Sequence, residues 1–252
     1  MKKVLIIAHA LPSLGSFRPA PLAKYLPEFG WHPVILTGPS NLASDSKITV
    51  VETPYRGSSG SWRRPINDSI GNLVRRQMGT IAKKSPVYFA LTCLRGILYY
   101  PDISKGWKPI GLEAGSELLQ HEDIDAMISH SPPVTGHMIA SELKDRYAIP
   151  WIADFPDLWS GNHCYSYGPL RKRIDRRLER KTLSKADALV TTSQPWAEKL
   201  KVLHSQKPVH VITHGFDPAE VNRPPAQLVA KFTITYTGII YAGKQDPAKL
   251  FI

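Results

Sequence analysis

The sequence predicts an α/β fold, a Rossmann-like, doubly wound parallel sheet. Three observations carry that prediction. Short apolar runs (Lys3 to His9, Val34 to Thr37, Ala126 to His130, Trp151 to Ala153, Ala188 to Thr192) read as strands buried on both faces. Helical spacing of apolar residues separates them. Polar residues follow the strand ends, where open parallel sheets gather their chemistry.

Composition narrows the class. The 252 residues have room for one large α/β domain or two small ones, and 42% hydrophobic with 21% charged residues is ordinary for a globular protein. Cys93 and Cys164 form neither a disulfide framework nor a metal spacing, so a reducing compartment is expected. The run Val4 to Ala8 is too short for a signal peptide, and no stretch approaches the roughly 18 apolar residues of a membrane span. The expected location is cytoplasmic, with peripheral contact at the inner membrane face. Net charge is +11, concentrated in two runs: nine Lys/Arg against two acids from Trp62 to Lys108, and eight against two from Arg171 to Lys185. Such runs favour anionic partners or form solvated helix faces. Nucleic acid is set aside, because no aromatic-basic motif of a known module accompanies them.

The elements follow in order. After the first strand, Gly15 and Ser16 could offer backbone N–H groups to an anion. Gly-x-Gly-x-x-Gly is absent and no acid follows the second strand, which argues against a dinucleotide site. A helix from Pro19 to Phe29 presents Leu22, Tyr25, Leu26 and Phe29 on one face; Pro27 distorts its last turn and Gly30 closes it. Ile48 to Thr53 is a third strand. Pro65 to Tyr100 reads as helical, with an apolar stripe (Ile70, Leu73, Val74, Met78, Ile81) among arginines. That pattern fits a helix lying in an anionic membrane interface or a flap packed on the domain. Pro109 to Gln120 is a helix. Ser129 to His137 opens another, which runs to Tyr147 and completes a right-handed βαβ unit. His137 faces a cleft or packs locally; both readings stay open. Pro169 to Ser184 is a basic helix with Ile174, Leu178 and Thr182 as its expected buried seam. Thr192 and Ser193 cap the helix from Gln194 or touch ligand. Val209 to Thr213 is the last strand of the unit.

Arg223-Pro224-Pro225 then signals a linker. The expected organisation is a domain over 1–221, a linker over 222–230, and over 231–252 the first strand and helix start of a second domain that is cut short.

The stretch Pro150 to Ser160 sits at the centre of this pattern. A strand core (Trp151, Ile152, Ala153) runs straight into Asp154, Pro156, Asp157 and Trp159. A parallel strand with these residues at its carboxyl end delivers two carboxylates to a cleft, or ends in a turn.

Several motifs together resemble one family. They are Leu22 to Leu26 with Gly30-Trp31, Tyr100-Pro101-Asp102 with Gly106-Trp107, Ser131 to His137, Pro150 to Ser160, Ala186 to Ser193, Gly215-Phe216-Asp217, and Tyr236-Thr237-Gly238 with Tyr241-Ala242-Gly243. The set resembles the GT-B-fold glycosyltransferases of family 4, especially bacterial enzymes that build surface polysaccharides. The resemblance implies an N-terminal acceptor domain facing a C-terminal donor domain. It implies a nucleotide-sugar donor, a lipid-linked or glycan acceptor, retention of anomeric configuration, and no metal or other cofactor. By the same resemblance, Asp157, Asp154 and His137 are the catalytic candidates. Gly15, Ser16, Ser193, Gly215, Phe216, Gly238 and Lys244 are the substrate-binding candidates. The chain departs from many relatives in having Pro156 where they have Arg and His214 where they have Asn. With the donor half missing, the chain alone is expected to be inactive. The competing class is a non-catalytic module that binds a sugar or anion, or docks on a partner.

Overall fold

The computed structural model describes residues 1–9, 18–40, 47–54, 96–163, 165, 167–218 and 232–235. β1 (Lys2–Ile7) is followed by α1 (Pro19–Tyr25), a 3-10 turn (Leu26–Phe29), β2 (Trp31–Thr37) and β3 (Thr49–Glu52). Next come α2 (Trp107–His121), β4 (Ala126–His130), α3 (Thr135–Tyr147) and β5 (Trp151–Phe155). The last are α4 (Pro169–Leu183), β6 (Ala188–Thr191), α5 (Gln194–Leu203) and β7 (Val209–Val211). The strands form one seven-stranded sheet in the order β3-β2-β1-β4-β5-β6-β7. Every pairing is parallel. The order reverses between β1 and β4, and at such a switch point the loops diverge and open a crevice at the carboxyl edge.

The apolar runs became strands because both faces of the sheet are covered. Ile6 and Ile35 face α1, where Ala20 and Ala23 bring the helix close. Leu5, Ile7, Val34 and Leu36 lie in the larger core with Trp107, Ile139 and Leu143. The expected α1 face is corrected here: Leu22 is only half-buried and Phe29 is exposed. Small residues won because they let the helix backbone approach the sheet. Pro27 does distort the end of the helix, which tightens to 3-10 geometry and stops at Gly30 with φ 79°. That left-handed conformation suits glycine.

Helices α2 and α3 pack through glycines. A Cβ on Gly111 would sit 2.7 Å from Ile139 Cδ1, and one on Gly115 would sit 2.7 Å from Leu143 Cδ1. Leu143 is fully buried, so it has nowhere to retreat. Gly115→Val is therefore expected to cost about 1–3 kcal/mol by overpacking. Urea unfolding followed by circular dichroism checks it, and an unchanged midpoint would show that the interface can yield.

Helix α4 departs from expectation. Ile174 is exposed and Leu178 only half-buried. The buried face carries Asp175, Glu179, Thr182 and Leu183. Asp175 accepts from Arg171 Nε at 3.0 Å and from Tyr165 Oη at 2.5 Å. Glu179 accepts from the Ser160 backbone N–H at 3.0 Å and from the Ser160 hydroxyl. The buried carboxylates are tolerated because each is hydrogen-bonded. They fasten the loop after β5 to the helix.

Thr192 and Ser193 also act differently from a capping pair. Ser193 precedes α5 without a side-chain cap. The hydroxyls of Thr191 and Thr192 donate instead to the Phe155 and Pro156 carbonyls, at 2.8 and 3.4 Å, and staple β6 to the end of β5. Phe232 to Thr235 carry no regular secondary structure. The linker at 222–230, the rest of the expected second unit, and the expected helical stretch Pro65 to Tyr100 as far as Arg95 lie outside the described residues; residues 96–98 are helical.

Candidate functional site

The crevice at the switch point is built from strand ends. β4 and β5 run in register, so His130 lies opposite Asp154. Their side chains meet: His130 Nδ1 lies 3.0 Å from Asp154 Oδ2. A carboxylate only accepts, so the His130 proton sits on Nδ1 and Nε2 is left to accept or to carry a second proton. Arg18, at the start of α1, places Nε 3.0 Å from the same Oδ2. Asp154 is 4% exposed, and among the described residues its Oδ1 has no hydrogen-bond partner. A buried, unpartnered carboxylate oxygen is costly. Among the described residues this oxygen is left open to a hydrogen-bond donor.

Arg18 also reaches across the crevice. Its Nη1 donates to the Ile212 and Thr213 carbonyls at 2.8 and 3.2 Å. Tyr25 Oη donates to Asp217 Oδ1 at 2.9 Å, and Lys24 pairs with the same carboxylate. The segment after β7 is thus strapped to α1. It brings His214 near Asp157, whose carboxyl is pushed above the usual carboxylate range by burial, while the charges of His163, His214 and His130 pull the other way. A carboxylate held so is a better proton acceptor than an exposed one.

Asp102 closes another side. Its carboxylate accepts from Ser104 N–H at 2.7 Å, and from Thr135 N–H and Oγ1 at 2.8 Å. It does for α3 what an N-cap side chain does, from a distant loop. Burial nevertheless raises its pKa, against those bonds.

The candidate residues divide accordingly. Asp154 and Asp157 share the crevice. His137 lies beneath it: fully buried, its ring centroid 4.3 Å from that of Phe155, its Nδ1 2.6 Å from Ser129 Oγ, far from solvent. Ser193 is half-buried at the head of α5. Gly215 and Phe216 are exposed on the strapped segment. Gly15, Ser16, Gly238 and Lys244 lie outside the described residues. Among the described residues, no group of three His, Cys, Asp or Glu could hold a metal ion.

Sequence reasoning missed Arg18 and His130. Both left a signal. A cation at a helix N-terminus opposes the helix dipole, so Arg18 needs a carboxylate elsewhere. His130 and Asp154 are polar residues at equivalent positions of adjacent strands, visible once β4 and β5 are paired.

The fold is a three-layered α/β/α domain with helices on both faces of one parallel sheet, and the comparisons give the family. The profile of the glycosyl transferase 4-like domain matches residues 18–215, more than half of the sequence, and the chain belongs to that family. It is a glycosyltransferase domain. No curated protein sequence matches it. Among solved structures it is similar to sucrose-phosphate synthase from Thermosynechococcus elongatus, at 12% identity and TM-score 0.54, covering 89% of this chain and 53% of that one. A second structure of that synthase gives 11% identity and TM-score 0.50, covering 85% and 90%. Arabidopsis thaliana UGT89C1 complexed with UDP-L-rhamnose gives 15% identity and TM-score 0.48, covering 99% and 53%. At such identities the likeness is one of fold. The chain spans about half the length of the synthase in the first of these matches.

Proposed function

We propose that this chain is the acceptor-holding part of an enzyme that moves a sugar from a nucleotide-sugar donor to a lipid-linked or glycan acceptor in cell-surface polysaccharide synthesis. Transfer retains anomeric configuration, uses no divalent metal, and takes place at the cytoplasmic face of a membrane. The observation that carries the reading is Asp154: a buried carboxylate beside the switch point, gripped on one oxygen by Arg18 and His130 and, among the described residues, without a partner on the other.

Asp154 anchors a sugar hydroxyl through Oδ1. Asp157, raised by burial, takes the proton from the attacking hydroxyl. The loop with Gly15 and Ser16, together with Lys244 and Gly238, faces the departing diphosphate with N–H groups and positive charge. Ser193, Gly215 and Phe216 line the substrate. His137 supports the floor from below.

In the active enzyme, Asp157→Asn lowers kcat by about 10²–10⁴-fold with acceptor KM little changed, the range for a lost proton acceptor. Asp154→Asn chiefly raises acceptor KM. The assay is transfer of labelled sugar from nucleotide-sugar donors to a lipid-linked acceptor, with EDTA present and the product anomer read by NMR. Unchanged kcat in Asp157→Asn removes its role. Donor and acceptor binding without transfer, under any condition, supports the non-catalytic module instead.

A further inference from the structure

The exposed surface of α4 is sorted by charge in a way that nothing above uses. Both of its acids, Asp175 and Glu179, point inward and are partnered. Its exposed side therefore carries only cations: Arg173, Arg176, Arg177, Arg180 and Lys181. None of these has an acidic partner among the described residues. By contrast, Lys3, Lys108, Lys144 and Lys185 are each paired to a nearby acid. The α4 face is left cationic.

That face is also apolar. Leu170 is 74% exposed and Ile174, one turn on, is 47% exposed. Ile97 and Leu98, 72% and 56% exposed, follow Gly96, which contacts the start of α4. The helical segment 96–98 is held at the amino end of α4 by Arg171, which donates to the Gly96 carbonyl, and by Tyr167, whose ring would be 3.1 Å from a Cβ on Gly96. Arg171 is itself fixed by Asp175 and by stacking over Tyr100, its guanidinium carbon 4.3 Å from the ring centre. The segment that carries Ile97 and Leu98 is thus fixed against the amino end of α4.

We propose that this face of α4 and the 96–98 segment dock the protein on an anionic lipid bilayer. Aliphatic side chains enter the headgroup boundary while arginines and lysine meet lipid phosphates, the pattern of an interfacial helix. A nucleic acid would use the cations but gains nothing from Leu170, Ile174, Ile97 and Leu98, and this face offers no aromatic ring for base stacking. The inference shares with the proposed function only the location at a membrane. Its test reads vesicle binding, not turnover, so each can fail without the other.

The chain is sedimented with vesicles of phosphatidylcholine alone and of phosphatidylcholine with phosphatidylglycerol. Binding is expected to the anionic vesicles and to weaken with salt. Arg173→Glu with Arg177→Glu is expected to lower partitioning about tenfold or more. Leu170→Ser with Ile174→Ser is expected to lower it while leaving heparin binding unchanged. All four sites are exposed, so unaltered melting curves confirm the fold. No vesicle binding, equal binding to neutral vesicles, or indifference to both double variants overturns the proposal. Heparin binding without vesicle binding also overturns it, and assigns the face to a soluble polyanion.

Discussion

Asp154→Ala is expected to lower the unfolding free energy by about 3–5 kcal/mol, the cost of leaving a buried charge without its partner. Two groups lose their acceptor at once. The Arg18 side chain is 11% exposed and the His130 side chain 6% exposed, so water cannot readily replace the carboxylate. Arg18 keeps its bonds to the Ile212 and Thr213 carbonyls, which are neutral and do not balance its charge. Asp154→Asn keeps an acceptor but not the charge, and falls between the two. Arg18→Met alone leaves the carboxylate facing only His130, and is also destabilising. The double variant Arg18→Met, Asp154→Leu then loses less than the sum of the single changes, because neither partner remains to be stranded. Urea unfolding of the parent, Arg18→Met, Asp154→Leu and the double variant closes the cycle. Additive losses would show that Arg18 and Asp154 do not act as a pair, and would take the floor of the crevice with them.

The sheet was legible because burial on both faces leaves unbroken apolar runs, and β4 was read with the bounds it has in the structure, Ala126–His130. The parallel order followed from strand–helix alternation, and Asp154 and Asp157 from their place after a strand core. The polar partners were not legible, because register joins residues distant in sequence: Arg18 and Asp154 meet only when the start of α1 reaches the carboxyl end of β5. Helix α4 misled for a related reason. Hydrophobic spacing marked Ile174 as inside, yet Asp175 and Glu179 are inside, since the loops at Tyr165 and Ser160 supply their donors. A helix rich in charge does not announce which charges will find partners. Ser193 looked like a cap by residue type, while the Ser193 carbonyl accepts from Trp196 and Ala197 and its side chain takes no capping bond.

Acid is expected to destabilise the domain steeply through two buried histidines. Burial lowers the pKa of His137 to about 3, helped by the charge of His130, and that of His9 to about 4. His137 is set into the core, where Ser129 Oγ, which accepts from Trp151 Nε1 at 2.7 Å, lies against its Nδ1. His9 lies between Ser104 Oγ at 3.3 Å and Trp107, with ring centres 5.0 Å apart. In the unfolded chain both titrate near 6.5. The folded state resists a proton that the unfolded state takes, so their contribution is whole above about pH 6.5 and is lost as pH falls toward 4 and then 3. Each costs about 1.4 kcal/mol per pH unit within its window. Asp102, Asp157 and Asp175 work in the opposite sense, because burial raises their pKa and the folded state takes protons there first. The comparison that isolates the histidine is His137→Gln, whose amide can still meet Ser129. Between pH 6 and 4 the variant is expected to lose stability less steeply than the parent by about 1.4 kcal/mol per unit, one proton's worth. Parallel slopes in urea unfolding across that range would mean that His137 binds its proton as readily folded as unfolded, and that the floor of the crevice is wetter than its packing implies.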